Sequence, residues 1–464
     1  MKKFIQSKFV NDYGSIFVLL LLVVYYTWNT RDTIHHPTDA DAGRKMARQI
    51  LAQHKKPAVW IVTRDTEADK KFAQAAREEL EKGDATVLDA WPGDPRGFRQ
   101  ALKETLEKHG HMDAIATHYY CARWNPMKPA QLQDLGTQAQ VHTPESYRWP
   151  SFLTRDNLRN ILNQNADIAI IAIGMTLVIL IAGIDLSVGS LMALASVSTA
   201  IIIQRYMGGA AASTLGLALG CLMVLGIGAM SGGFTGALVT GFRVPPFVVT
   251  LGLMMALEGA AYIATVRFKN ALADEAKAEG GEIIAATPET IDIQSAAFDA
   301  LGKVEWLGIH YSAWLMLALF LIVHIMMTRT TFGRYIYAVG GNPEAARLSG
   351  VPVTWVIIIV YILCGVLAAV AGIVDASQRG GRPAAGDQYE LRAIAAVVVG
   401  GTSLFGGVGR ILGTLIGVMI IAVISNGLYM ANFDSYEKMV VYGLLIIAAV
   451  LLDQLKKRGL KQAD

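Results

Sequence analysis

An α-helical membrane protein of about ten spans, carrying a small α/β extracytoplasmic insert, is the fold class this sequence predicts. Three observations predict it. At 464 residues the chain is 53% hydrophobic and 17% charged, with mean hydropathy +0.39, which is too apolar for a water-soluble protein of this size. The apolar residues gather into runs long enough to cross a bilayer, while 29–148 is a polar block of ordinary charge density. The longest run, Ala166 to Ile203, holds enough apolar residues for two helices and is interrupted by Gly183-Ile184-Asp185-Leu186-Ser187-Val188-Gly189-Ser190. A carboxylate between two such helices is costly in hydrocarbon, so it faces protein, water or a pathway, and the break points to transport.

The net charge is only +3, which gives nucleic-acid binding no electrostatic support. Cys121, Cys221 and Cys364 lie far apart, and two of them sit in apolar runs. They form neither a disulfide framework nor a metal site and read as small buried hydrophobes. The tandem His35-His36 lies in a polar linker and reads as solvated, so no metal is expected on this chain.

Taken in order, the candidate spans are 13–28, 166–184, 187–204, 212–239, 244–266, 309–327, 353–374, 391–406, 411–430 and 437–453. Glycines between Ala393 and Met430 blur two neighbouring spans. No small-residue cleavage pattern follows Tyr25-Tyr26-Thr27-Trp28, so the first span reads as an uncleaved helix with an interfacial aromatic belt rather than a signal peptide. Lys2, Lys3 and Lys8 precede the first span, and Lys456, Lys457 and Arg458 follow the last. The positive-inside rule puts both termini in the cytoplasm. Arg243, the segment with Arg329, Arg334 and Arg347, and Arg410 then fall on cytoplasmic turns. The insert and the loop Phe268 to Glu305 fall outside.

Within the insert, Ala58 to Val62, Ala85 to Leu88 and Asp113 to Ala116 read as strands. Thr66 to Lys82 and Pro95 to His109 read as helices, with Phe72, Ala73, Ala76 and Leu80 on one face of the first and Phe98, Leu102 and Leu106 aligned along the second. The alternation implies a parallel sheet with crossover helices. Arg64, Asp65 and Asp94 fall near strand ends, where α/β ligands bind. They read either as ligand-side residues or as turn and capping residues.

Three further segments carry the chemistry. Asp185, Ser187 and Gly189 in the break read either as the cap of the following helix or as a polar constriction in a path. Pro343 to Leu348 reads as a short helix in which Asn342 caps, Pro343 takes the first position and Glu344 suits the positive end. Gly400 to Gly409 holds too many glycines for a regular helix, so the backbone bends or packs closely. Thr402 and Ser403 there, and Asn426 in the next span, join the candidates for lining a path; Asn426 equally suits a hydrogen bond between helices. The segment lacks the Lys-Ser or Lys-Thr of a phosphate loop, and G-x-x-x-x-G-K-[ST] occurs nowhere, so this chain is not expected to hydrolyse ATP. It has no H-E-x-x-H and no G-x-S-x-G, and no catalytic residues are assigned.

From Trp149 onward the chain resembles the membrane permeases of bacterial ATP-binding-cassette importers for simple sugars, the ribose, xylose and galactose type. Three motifs carry the resemblance: FLTRDNLRNILNQNADIAIIAIGMTLVILIAGIDLSVGSLMAL, GRYIYAVGGNPEAARLSGV and YELRAIAAVVVGGTSLFGGVGRILGTLIG. The insert, through VWIVTRDTEADKKFAQAAREEL and the two segments after it, resembles one lobe of a periplasmic sugar-binding protein. The insert and the long loop 268–305 are departures from the permease pattern.

The resemblance implies domains at 1–28 (first membrane helix), 29–148 (insert) and 149–464 (permease). It implies alternating access in the inner membrane, driven by a separate ATP-binding subunit, with no cofactor on this chain. Gly341, Asn342, Pro343, Glu344, Ala345, Ala346 and Arg347 would form the helix coupled to that subunit. A second permease subunit, identical or not, and a soluble sugar-binding protein complete the implied partners, with the lipid bilayer around them. The alternatives are a membrane sensor with an external lobe and an ion-coupled transporter, for which intramembrane acids are few. The insert either docks a soluble binding protein or is a remnant of a gene fusion.

Overall fold

The structure, a computed structural model, describes residues 8–278 and 290–461. Lys2, Lys3 and the middle of the loop 268–305 lie outside them. The chain separates into two compact units, Thr27–Leu153 and the chain on either side of it, so the inserted unit is somewhat longer than 29–148.

The first helix, α1 (Lys8–Asn29), belongs to the larger unit up to Tyr26. The inserted unit contains α2 (Ala40–Gln53), β1 (Ala58–Thr63), α3 (Glu67–Lys82), β2 (Thr86–Pro92), α4 (Phe98–His109), β3 (Ala114–Ala116) and β4 (Gln140–His142). The sheet is parallel throughout, in the order β2-β1-β3-β4. β1 is buried on both faces, as a parallel strand under crossover helices must be. Val59 and Ile61 pack with Met46, Ile50, Phe72 and Leu80, while Trp60 and Val62 pack with Phe98, Leu102 and Ile115. Thr66 accepts the Asp69 amide and so starts α3 one residue later than the apolar spacing suggests.

The larger unit continues with α5 (Arg155–Asn163), α6 (Ala166–Leu180), α7 (Val188–Tyr206), α8 (Thr214–Gly241), α9 (Pro246–Ala278), α10 (Tyr311–Arg329), α11 (Thr331–Gly341), α12 (Pro343–Leu348), α13 (Val353–Arg379), α14 (Tyr389–Val399), α15 (Ile411–Met430) and α16 (Ser435–Lys461). Every residue of α6 is buried, so it is the central helix. In α7, α13 and α15 61–67% of the most apolar window is buried, against 17–33% in α8, α9 and α10, which form the periphery. Helix α8 approaches α13 through Gly228, Gly232 and Gly236. A Cβ on Gly232 would overlap the Tyr361 carbonyl, and one on Gly236 would lie 2.8 Å from Ile358 Cα. Small residues at this spacing let two backbones meet, which supplies the packing that a lipid surrounding does not drive.

By length and apolarity, six helices among the described residues can cross a membrane, or seven if α5 and α6, bent by 46° at their junction, make one span. The expected ten is therefore not reached by that measure, although every expected segment contains a helix. The segment 13–28 corresponds to the shorter apolar stretch Gly14–Asn29. The segment 391–406 yields only α14, which Gly400 and Gly401 end: Gly401 takes φ +92°, and Gly400 is pressed against the Gly413 carbonyl. The segment 437–453 lies within α16, part of whose side chains fall outside the described ones. A further correction concerns the loop 268–305. Helix α9 runs on to Ala278, and Arg205 Nη2 pairs with Glu275 Oε1 at 2.7 Å.

Candidate functional site

The junction between α6 and α7 is built from the backbone outward. Helix α6 stops where Ala182 adopts φ +62°, and the amides of Ala182 and Gly183 return to the carbonyls of Ile179 and Val178. Asp185 Oδ1 then accepts the Ser187 amide at 2.9 Å and the Ser187 hydroxyl at 2.6 Å. Both residues are almost fully buried, at 3% and 2% exposed. This is an Asx turn that launches α7. The Cys364 thiol also contacts the carboxylate, and the buried Tyr361 hydroxyl beside it has no hydrogen-bond partner among the described residues. Gly189, one turn on, sits against the Gly386 carbonyl and 2.5 Å from Glu390 Oε2 measured from an added Cβ.

The glycine segment reaches the same place from the other end of the chain. The Gly407 amide donates to the Leu180 carbonyl at 2.9 Å, satisfying a group that α6 leaves open at its last turn. Ser403 turns the loop, taking the Phe405 amide at 3.3 Å on its hydroxyl, while its own amide donates to Val408. Thr402 is buried, and its Oγ1 has no partner among the described residues. Asn426 does not join this group. It exchanges two amide hydrogen bonds with Asn157, at 2.8 and 3.0 Å, and ties α15 to α5.

Helix α12 stands almost wholly in the open. Asn342 Oδ1 accepts the amides of Glu344 and Ala345 at 3.0 Å each, and Pro343 occupies the first turn, where its missing N–H costs nothing. Glu344 pairs with Arg347, and Gly350 at φ +84° ends the segment. Gly341 and Asn342 through Arg347 are exposed except Ala346, and Leu348 is 88% exposed. An apolar tip on a rigid, capped helix is a surface suited to a socket on another protein.

Two constellations escaped the reading of the sequence. Arg379 Nη1 contacts Asp375 Oδ1 at 2.6 Å and Asp167 Oδ2 at 3.1 Å, and Tyr389 Oη donates to the same Asp167 oxygen at 3.1 Å. Arg382 also pairs with Asp375, and Ser196 Oγ donates to Asp375 Oδ2 at 3.1 Å. This network joins α6, α7, α13 and α14, with both carboxylates buried. The acid and base four apart at the end of the apolar run Val353 to Arg379 were its sequence signal. The second constellation is Glu258 with Glu390; from the sequence, Glu390 and Arg392 near a span end read as lining the external mouth or marking the interface, and only the pairing with Glu258 was missed. Glu258 is exposed in the middle of α9, and Glu390 at the start of α14 lies within its electrostatic reach. Glu258 is the one charge between Pro246 and Val266, which was signal enough.

In the inserted unit, the residues after β1, β2 and β3 share the carboxyl edge of the sheet. Arg64 grips the buried Asp69 with Nε–Oδ2 2.8 Å and Nη2–Oδ1 3.2 Å. Asp65 pairs with Lys70 at the surface, and Asp94 Oδ1 takes the amides of Arg96 and Gly97 at 2.8 Å each. The same strand-end rule, carried to β3, finds His118, whose Nε2 lies 2.9 Å from Asp69 Oδ2. Burial pushes the Asp69 carboxyl up, but the hydrogen bonds from Arg64 and His118 outweigh it and hold it below the usual carboxylate range. Burial lowers His118, against the pull of Asp69. The ring is therefore neutral at pH 7 with its proton on Nε2. Burial also pushes the neighbouring Cys121 thiol up to about 12, so it is inert.

Residues 157–450 match the family described as branched-chain amino acid transport system / permease component. The chain is 42% identical over 313 residues to the ribose import permease protein RbsC of Escherichia coli, covering 66% of this chain and 88% of that protein. It is 36% identical over 308 residues to the fructose import permease protein FrcC of Rhizobium meliloti, covering 65% and 79%. To the L-arabinose transport system permease protein AraH of Escherichia coli it is 33% identical over 311 residues, covering 67% and 86%. No solved structure matches.

Proposed function

The chain belongs to the branched-chain amino acid transport system / permease component family, and we propose that it is the transmembrane permease subunit of an ATP-binding-cassette importer for a simple sugar, a pentose or hexose. The observation that carries this is the breadth of its likeness to sugar import permeases, over about two thirds of the chain and most of their length. The geometry supports it. A capped, exposed helix such as α12 suits a coupling role, and the chain lacks an ATP-binding loop, so hydrolysis belongs to a partner subunit.

The protein is then a multi-pass protein of the bacterial inner membrane. Ten membrane elements follow if α1, α14 and α16 join the seven. Helix α14, about 16 Å long, would span half of a hydrocarbon core of about 30 Å. Both termini and α12 would lie in the cytoplasm, with the insert outside. A second permease subunit would face this one across a central path, and a soluble binding protein would deliver sugar. Closure of the ATP sites would open the path outward, and hydrolysis would reset it inward.

Glu258 indicates where the path runs. From Pro246 the helix rises about 18 Å to Glu258, near the midplane. Facing lipid there would cost on the order of 3 kcal/mol. A carboxylate exposed on an isolated subunit at that depth belongs to a face covered by water or by a second subunit. Glu258 and Glu390 would accept hydrogen bonds from sugar hydroxyls, beside the close backbone contact of Gly189 with Gly386. Half-helix ends near the midplane, as at α14, are where transporters place substrate.

Uptake by vesicles tests the reading. Labelled ribose, fructose and arabinose are offered with and without ATP, and with and without a co-expressed ATP-binding subunit. Uptake of one of them that needs both is expected; uptake driven by an ion gradient alone would sink the proposal.

A further inference from the structure

The glycine segment and the α6 end meet the end of α11, just before α12, mainly through backbone. Gly340, near the end of α11, has no room for a side chain: a Cβ there would overlap the Leu180 carbonyl and lie 2.6 Å from the Gly407 amide nitrogen. From the other side, a Cβ on Gly406 would lie 2.8 Å from the Gly340 carbonyl oxygen and 2.9 Å from the Ala182 amide nitrogen. Gly407 rests on Gly341, with a built Cβ 3.0 Å from its Cα. Gly406 and Gly407 both take positive φ, +81° and +71°, which keeps side chains out of the contact. Two hydrogen bonds clamp the knot: the Gly407 amide to Leu180, and Tyr337 Oη to the Gly409 carbonyl at 2.9 Å.

Three chain segments, distant in sequence, are thus locked main chain to main chain. Gly341 leads directly into Asn342 and α12, and Ala182 leads directly into the Asp185 turn and α7. Side chains absorb small displacements by changing rotamer; backbone in van der Waals contact with backbone does not. A shift of α12 therefore moves α11, and α11 pushes on the end of α6 and on the α14–α15 loop together.

Resting on the permease reading, we propose that Gly340, Gly406, Gly407 and Tyr337 are positioning residues that carry the movement of α12 to the α6–α7 junction, opening and closing the path at Asp185. This gives the glycine segment its role. It is a transmission point between the coupling helix and the break in the membrane helices.

The test follows hydrogen exchange in the permease assembled with its ATP-binding subunit, with and without ATP, and needs no sugar. In the wild type, ATP is expected to change exchange in residues 331–348 and in residues 181–189. In Gly406→Ala the change in 331–348 is expected to persist, while that in 181–189 falls by about fivefold or more. Tyr337→Phe, which only removes a hydrogen bond, is expected to reduce it about twofold, and it decides the matter if Gly406→Ala does not assemble. Gly226→Ala is the control, since nothing lies within 4 Å of a Cβ there. An undiminished response at 181–189 in Tyr337→Phe and in an assembled Gly406→Ala overturns the proposal, as does a wild type that responds at 331–348 alone. A wild type with no ATP response at 331–348 overturns the coupling role of α12 itself.

Discussion

Asp185 spends one carboxylate oxygen on two neighbours, the Ser187 amide and hydroxyl. Replacing it by Asn keeps an oxygen able to accept both, so the fold is expected to survive. Asp185→Ala leaves both donors buried without a partner, at about 1–3 kcal/mol. Thermal unfolding in detergent distinguishes the two variants. Full uptake by Asp185→Asn would make the residue a turn former, whereas lost uptake with normal unfolding would put its charge in the path. Glu258 is the contrasting case, because no turn or cap depends on it. Glu258→Gln is expected to leave unfolding unchanged and to lower uptake by about tenfold; unchanged uptake would remove Glu258 from the path.

His118 and Asp69 make a pH-dependent pair in the inserted unit. The folded His118 binds its proton less readily than an unfolded histidine at about 6.5. Its contribution is therefore present above that pH and lost as pH falls below it. Asp69, held low when folded, adds a second loss below about 3.9. Exchange of the β1 and β3 amides is expected to accelerate as pH falls from 7 to 5, after correction for intrinsic rates, and His118→Gln is expected to flatten that change. A wild-type profile that is already flat would contradict the assignment.

At the scale of elements, α12 depends on its cap. It has only six residues, too short to hold its shape by propensity, and Asn342 supplies two hydrogen bonds to its first turn. Asn342→Ala is expected to cost about 1 kcal/mol locally. The first turn then frays, and capture of the ATP-binding subunit in co-purification weakens while unfolding of the membrane helices stays unchanged. Normal capture would mean that α12 is not the docking element. The cap was legible from Asn-Pro-Glu alone because it is a short-range device. The length of α14 was not. Hydropathy runs on through Gly400 and Gly401, and only the close packing of Gly400 on Gly413 shows the helix ending there.

For the whole molecule, the two units pose separate questions. The inserted unit has its own two apolar layers and its own polar network. At its sheet edge, Arg64 pairs with Asp69, Asp65 pairs with Lys70, and Asp94 accepts the Arg96 and Gly97 amides of its own turn. We expect the unit to dock the soluble binding protein. Deletion of residues 33–146 is then expected to reduce capture of that protein and uptake together. Uptake and capture equal to wild type would leave it a remnant of a gene fusion.

Apolar runs, caps and motifs are local, and they by themselves determined that this is a helical membrane protein of the permease family, roughly where most of its apolar helices fall, and how α12 begins. Which residues meet was decided only in three dimensions. The Asp167, Asp375 and Arg379 network, the Glu258 and Glu390 pair, and the contact of Leu180, Gly340 and Gly406 each join segments from separate helices. Hydropathy marks that a helix is buried in membrane or protein but carries no record of which neighbour covers which face. That choice was made by backbone approach at glycines and by the need to partner every buried charge.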